Sequence, residues 1–151
     1  MDYELKPEVL KLRIACILIE DGKILLAKHR RDEREYWTLP GGGLQKGERI
    51  TDCLRREIWE EGGLEIEIED VLFVYDTIEP SRHIVTIVLR ARKVGGELKP
   101  KNIPVEGRLV DMQFIPMEKL EEIVLLPPIA GEIKRAINSR GVPYLGDLWR
   151  R

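Results

Sequence analysis

Apolar and polar positions alternate in short blocks along this chain, and most blocks have the period of two that a half-buried strand needs. Residues 13–19 (RIACILI) form one apolar run and residues 23–28 (KILLAK) another. Glu20-Asp21-Gly22 lies between them, and a D-G pair between β-rich runs predicts a hairpin. Residues 29–37 (HRRDEREYW) are too charged for a core strand and read as a loop. Thr38-Leu39-Pro40 leads into three glycines, Gly41 to Gly43. The period then changes to that of a helix from about Ile50 to Glu61, with Gly62-Gly63 as its stop signal. Residues 64–76 and 83–92 return to strand patterning, Gly95-Gly96 marks a turn, and residues 109–115 make a last strand. After Pro116, MEKLEEI reads as a short helix, and beyond Pro127-Pro128 so does IAGEIKRAINS.

Strands dominate the first two thirds and helices are few. The plan is α+β, a mixed β-sheet with helices packed on its faces. At 151 residues the chain is long enough for one domain with a real core, and residues 1–151 are read as a single unit.

Charge narrows the partners. A formal net charge of −2 gives no general drive toward nucleic acid or membrane. No apolar run approaches the ~20 residues of a membrane span. The start, MDYELKPEVLKLRI, lacks the apolar core of a signal peptide. Cys16 and Cys53 sit in apolar patterns and read as reduced, buried thiols, which places the chain in the cytoplasm. Lys, Arg and Glu are abundant, while Asn102, Asn138, Gln45 and Gln113 are the only labile amides, a thermophile's habit.

The chemistry concentrates between Gly42 and Leu64. On a helix, Glu57, Glu60 and Glu61 stand at i, i+3 and i+4 and share a face. Carboxylates held together repel unless a cation sits among them, and hard oxygen donors suit Mg²⁺ or Mn²⁺ rather than zinc. Glycines just before the helix let the main chain approach a ligand closely. On an ordinary surface helix, Arg56 and Glu60 would be only an i,i+4 ion pair.

The full spacing is G-x5-E-x7-R-E-I-x-E-E-x-G-L, formed by Gly42, Glu48, Arg56, Glu57, Ile58, Glu60, Glu61, Gly63 and Leu64. This is a complete Nudix box, and the chain here resembles the Nudix hydrolase family. The order of flanking elements also resembles that family: a hairpin and W-x-L-P-G-G before the box, strands and a terminal helix after it. The resemblance implies a Nudix-type α/β/α sandwich and a pyrophosphatase using Mg²⁺, with Mn²⁺ as a substitute. It implies Glu57, Glu60 and Glu61 as metal ligands, together with the carbonyl of Gly41. It makes Arg56 the residue that orients a neighbouring carboxylate, and Glu48 a support for the loop and a further candidate to help hold a metal. One of the ligands, or a residue elsewhere, would serve as general base. The substrate would be a small-molecule nucleotide, and a homodimer fits the family, with LWRR at the end as a contact.

Outside the box, Glu106 is the first candidate for the base and Asp111 the second. Arg30, Arg31 and Arg34 could clamp phosphates or sugar hydroxyls, Arg82 and His83 could reach substrate, and Tyr36, Trp37 and Tyr75 could stack on a base. Trp37 also suits the core, Trp59 points away from the carboxylates, Trp149 reads as an anchor, and His29 as structural. Pro80 follows Leu64 by sixteen residues. The family associates a proline at that offset with ADP-ribose hydrolysis, although DTIEPSRH does not otherwise match that subgroup. ADP-ribose or a related sugar nucleotide therefore ranks first, nucleoside triphosphates second and dinucleoside polyphosphates third. Two other readings compete. A nucleotide-sensing module would have lost its carboxylates, and here all three are present. A decapping-like enzyme would need a basic stripe for RNA, and only Lys28, Arg30, Arg31 and Arg34 hint at one.

Overall fold

The computed structural model describes residues 7–99 and 108–148. Its spine is β1 (Val9–Glu20), whose residues Ile14 to Leu18 are buried on both faces. Ile14, Cys16 and Leu18 enter one apolar cluster, while Ala15 and Ile17 enter another on the opposite side. Strand β1 runs parallel to β6 (Arg82–Gly96) from Val9 to Leu18. Strand β6 in turn pairs antiparallel with β5 (Leu64–Ile78), and β5 pairs in parallel with β8 (Tyr144–Asp147).

The Asp21-Gly22 hairpin forms as expected, with φ of 51° and 74°. It joins β1 to β2 (Lys23–Arg31), yet the two strands pair only at Ile19–Ile24 and Glu20–Lys23. Beyond that point β1 takes a different partner. Cys16 N–H donates to the Pro40 carbonyl at 3.1 Å, and β4 (Gly41–Gly43) pairs with Arg13 to Ala15. Strand β2 turns to β3 (Arg34–Thr38) and β7 (Leu109–Pro116). The parting of β1 and β2 places the glycines against the spine and opens space between the two halves of the sheet.

Helix α1 (Ile50–Gly62) lies on one face and buries Cys53, Leu54 and Ile58. It ends where Gly63 turns left-handed at φ 74° and its N–H closes on the Trp59 carbonyl. Helix α2 (Ala130–Ala136) covers the other face through Ile133 and Ala136. The α+β expectation of a mixed sheet between helices is met.

Three local readings need correction, and one strand was not read. Residues 29–37 are a second hairpin, with Asp32 and Glu33 both left-handed at φ 52° and 65°. Its ladder is held by charge rather than burial: Glu35 pairs with Lys28 at 2.7 Å and Arg30 at 3.1 Å, and His29 stacks on Tyr36. Gly95-Gly96 is the end of β6, paired with Glu65 and Leu64, and no turn forms there. In MEKLEEI only a 3-10 turn (Met117–Lys119) forms, with Leu120 buried and Met117 and Ile123 partly buried against the α2-side core. Strand β8 carries no apolar alternation, and it escapes sequence reading.

The run Val71 to Tyr75 also has a structural cause. Register shifts between Ile68 and Val71 and between Val71 and Phe73 change the face of β5. Leu64 and Ile66 face α1, whereas Leu72, Phe73 and Tyr75 all join the α2 side.

Candidate functional site

The buried stripe of α1 runs through Cys53, Leu54 and Ile58, so Glu57 and Glu61 lie along its edge, in line with Cys53. Glu57 is only 14% exposed in its side chain, while Glu60, one column further round, is 48% exposed. Gly42 faces Glu57 so closely that a Cβ there would collide with the carboxyl group. Gly41 is held against β1, and a Cβ on it would strike the backbone of Ile14 and Ala15. Cys53 Sγ donates to the Gly43 carbonyl at 3.5 Å and fastens helix to strand. Both thiols are free, and burial pushes Cys53 up to about 11 and Cys16 up to about 12, so neither is reactive.

Arg56 organises the acids. Its Nε and Nη2 donate to Glu48 at 2.7 Å and 3.0 Å, a two-pronged grip. Its Nη1 reaches Glu57 at 2.9 Å and Glu60 at 3.4 Å. The grip holds the Glu48 carboxyl down to about 2 and pushes the guanidinium above its ordinary value. Glu61 behaves in the opposite way. Burial pushes it up to about 7, the adjacent Glu57 carboxylate adds to the rise, and Arg13 works against both. The sequence expectation that the three glutamates stand together is therefore met for Glu57 and Glu61. Glu60 turns outward to Arg56, and among the described residues no three acidic, His or Cys side chains form a ready-made cage. A raised carboxyl beside a second carboxylate and a glycine backbone is a donor set of hard oxygens with surplus negative charge. It fits a divalent cation such as Mg²⁺ or Mn²⁺.

A cavity of about 1340 Å³ opens between the two halves of the sheet. Arg31, Arg34, Arg82, Tyr36 and Tyr75 line it. Arg82 is matched by Glu79 at 2.8 Å. Arg30 instead turns to Glu35 and is no part of the wall. Trp37 packs on the α2-side core with Lys28 over its ring, in line with its core reading. His83 lies outside the cavity and meets Asp76 at 2.6 Å. Asp111 accepts from Met112 N–H and Gln113 on its own strand. Glu106 and Trp149 lie outside the described residues.

Among the wall residues not anticipated from sequence are His29 and Arg13. His29, read as structural, donates or accepts at Thr38 Oγ1 (2.9 Å) and stacks on Tyr36 inside the cavity. Burial, then Arg13 and Arg108, hold it down to about 4, so it stays neutral near pH 7. Arg13 lines the cavity and donates from Nη2 to the Leu39 carbonyl at 2.6 Å. It also acts on Glu61, so it is the link between the cavity and the acids of α1, which are not in the cavity wall. The available signal was a cation on the same strand face as buried Ala15 and Ile17.

A family model described as the NUDIX domain matches residues 10–137. An ADP-ribose pyrophosphatase of Methanocaldococcus jannaschii is 34% identical over 103 residues, covering 66% of this chain and 61% of that protein. The human 8-oxo-dGDP phosphatase NUDT18 is 38% identical over 96 residues, covering 63% of this chain and 29% of that protein. The chain thus covers less than two thirds of the length of these relatives. The solution structure of the E. coli ORF135 protein superposes with a TM-score of 0.72 at 21% identity, covering 88% of this chain and 96% of that one, a likeness of fold.

Proposed function

This chain belongs to the NUDIX domain family, and from that premise we propose that it is a pyrophosphohydrolase dependent on Mg²⁺, with Mn²⁺ as a substitute. The bond cleaved is the phosphoanhydride of a nucleoside diphosphate linked to another group. The single observation that carries the reading is Glu57 packed against Gly42 with Glu61 beside it, a surplus of negative charge next to a cavity large enough for a nucleotide.

Glu57, Glu60 and Glu61, with the Gly41 carbonyl, would hold the cation. When bound, it would neutralise the anhydride oxygens and lower the pKa of a water. Arg56 keeps Glu57 and Glu60 oriented, and Glu48 fixes Arg56 in turn. Water adds to phosphorus, the bridging P–O bond breaks, and the water's proton passes to a carboxylate. Glu57 or Glu60 is within the site for that role, and Glu106 is the candidate from outside it. Arg31, Arg34, Arg82 and Tyr75 would hold the remainder of the substrate from the cavity wall.

ADP-ribose or a related sugar nucleotide ranks first as substrate. Pro80 and the name of the M. jannaschii relative support it. Nucleoside triphosphates and dinucleoside polyphosphates follow. No helix among the described residues is long and apolar enough to cross a membrane. The two free thiols favour a reducing, cytoplasmic setting, and a homodimer belongs to the same reading, although its proposed contact, LWRR, starts with Leu148, the last described residue.

The test is a substrate panel. ADP-ribose, sugar nucleotides, nucleoside triphosphates and dinucleoside polyphosphates are incubated with the protein and Mg²⁺, and phosphate is read after coupling to a phosphatase. Turnover of a sugar nucleotide, abolished by chelator, is the expected result. No turnover of any member with either metal would overturn the reading.

A further inference from the structure

Strand register sets a row of side chains across the cavity face of the sheet. Tyr75 of β5 stands opposite Thr86 of β6, Thr86 stands beside Arg13 of β1, and Arg13 stands opposite Gly43 of β4. Tyr75, Thr86 and Arg13 all line the cavity. The row ends in open space, since a Cβ on Gly43 would meet nothing within 4 Å. Beyond it lies α1, fastened to the Gly43 carbonyl by Cys53 and Arg56. The chemistry along the row is ordered, an aromatic ring, a hydroxyl and a guanidinium, and the acids of α1 lie off the row on the other face of the sheet, where Arg13 acts on Glu61.

Arg13 has capacity to spare. One N–H goes to the Leu39 carbonyl, and no carboxylate among the described residues lies within ion-pair distance of it. A guanidinium offers five donors, and a half-buried one without a carboxylate partner is poised for an anion. Its neighbours do not fill that need: Thr86 is buried and Tyr75 carries a neutral ring. Arg31, Arg34 and Arg108 also line the cavity with no ion pair among the described residues, and the wall acids Glu35 and Glu79 are already held by Lys28, Arg30 and Arg82, so the wall has positive charge to offer an anion.

We propose that Arg13 binds a phosphate of the substrate, with the nucleoside lying toward Tyr75 and the anhydride toward α1. The proposal rests on the pyrophosphohydrolase reading for the nature of the ligand and deepens it by giving the substrate a direction. The phosphate on Arg13 is the one attached to the nucleoside in the cavity. The same guanidinium ties the Leu39 carbonyl, so substrate binding is coupled to the segment that delivers Pro40 and Gly41.

The experiment compares the full-length protein with Arg13→Gln and Arg13→Lys, reading binding of AMP and of adenosine by calorimetry, Mn²⁺ binding, and KM and kcat on the best substrate. Arg13→Gln should weaken AMP by about tenfold or more, leave adenosine and Mn²⁺ within about twofold, and raise KM more than it lowers kcat. Arg13→Lys should recover part of the AMP affinity, and it supplies the answer where the glutamine variant does not fold. Equal weakening of AMP and adenosine would make Arg13 merely a support for Leu39 and overturn the proposal. So would unchanged AMP binding, or wild-type protein that does not bind AMP. If wild-type protein binds AMP through Arg13 but hydrolyses no anhydride, the functional reading fails and the phosphate site stands. If it hydrolyses normally and Arg13→Gln binds AMP as before, the reverse holds.

Discussion

Gly42 and Glu57 are packed so closely that the carboxyl group of one occupies the place where a side chain on the other would begin. The contact fixes the first glutamate of the helix from the strand side, while Arg56 fixes it from the helix side at 2.9 Å. Because the colliding atoms are the end of a flexible side chain, Gly42→Ala should fold with little loss of stability, and Glu57 should swing out of place. The expected result is a fall in kcat/KM of at least about tenfold with Tm shifted by only a few degrees. Normal activity in a folded Gly42→Ala protein would show that Glu57 needs no such placement.

Arg56 serves three carboxylates at once, which a lysine cannot do. Arg56→Lys keeps the charge but loses the fork on Glu48 and the reach to Glu57 and Glu60. Steady-state kinetics should show a drop of about 10 to 100-fold in kcat/KM, the size expected for a residue that orients metal ligands. Metal affinity measured by Mn²⁺ titration should fall with it.

The metal-free protein should reveal Glu61 through pH. Its folded-state pKa of about 7 lies above the ordinary carboxyl value, so the folded state binds that proton more tightly. Stability from this group is greatest at low pH and declines as pH rises toward 7. His29, held down to about 4, has the opposite slope below its ordinary range. Glu48, held down to about 2, contributes above the ordinary carboxyl range and loses its contribution as pH falls toward 2. The informative quantity is therefore the Tm difference between Glu61→Gln and wild type in chelator. It should grow in favour of the variant from about pH 5 to about pH 7.5. A constant difference would assign the effect to another group.

Asp76 anchors the last strand. It accepts from His83 at 2.6 Å and from the Tyr144 hydroxyl, and its carbonyl accepts from Leu148 N–H. Asp76→Ala should cost about 1–3 kcal/mol in urea unfolding, and Tyr144→Phe less. Substrate binding should change little, since neither residue lines the cavity.

Legibility followed the physical origin of each feature. The Asp21-Gly22 hairpin and α1 were readable because local backbone preference and apolar period agreed there. Residues 29–37 were misread because their hairpin is stabilised by Lys28–Glu35, Arg30–Glu35 and a His29–Tyr36 stack, which leave no apolar alternation. Strand β8 depends on Asp76, far away in sequence. The spacing of the box located the acids, but it could not show that Glu60 leans outward while Glu61 is driven toward protonation. Arg13 was hidden because its importance comes from a strand register that joins it to Thr86 and Tyr75.

The most direct measurement is the rate of phosphoanhydride hydrolysis on the best panel substrate, with and without Mg²⁺, for wild type, Glu57→Gln and Glu60→Gln. Metal-dependent turnover should appear in the wild type and fall by at least about 10²-fold in each folded variant. Near-normal turnover in both variants, or turnover in wild type that survives chelation, would contradict a mechanism built on carboxylates gathered around a divalent ion.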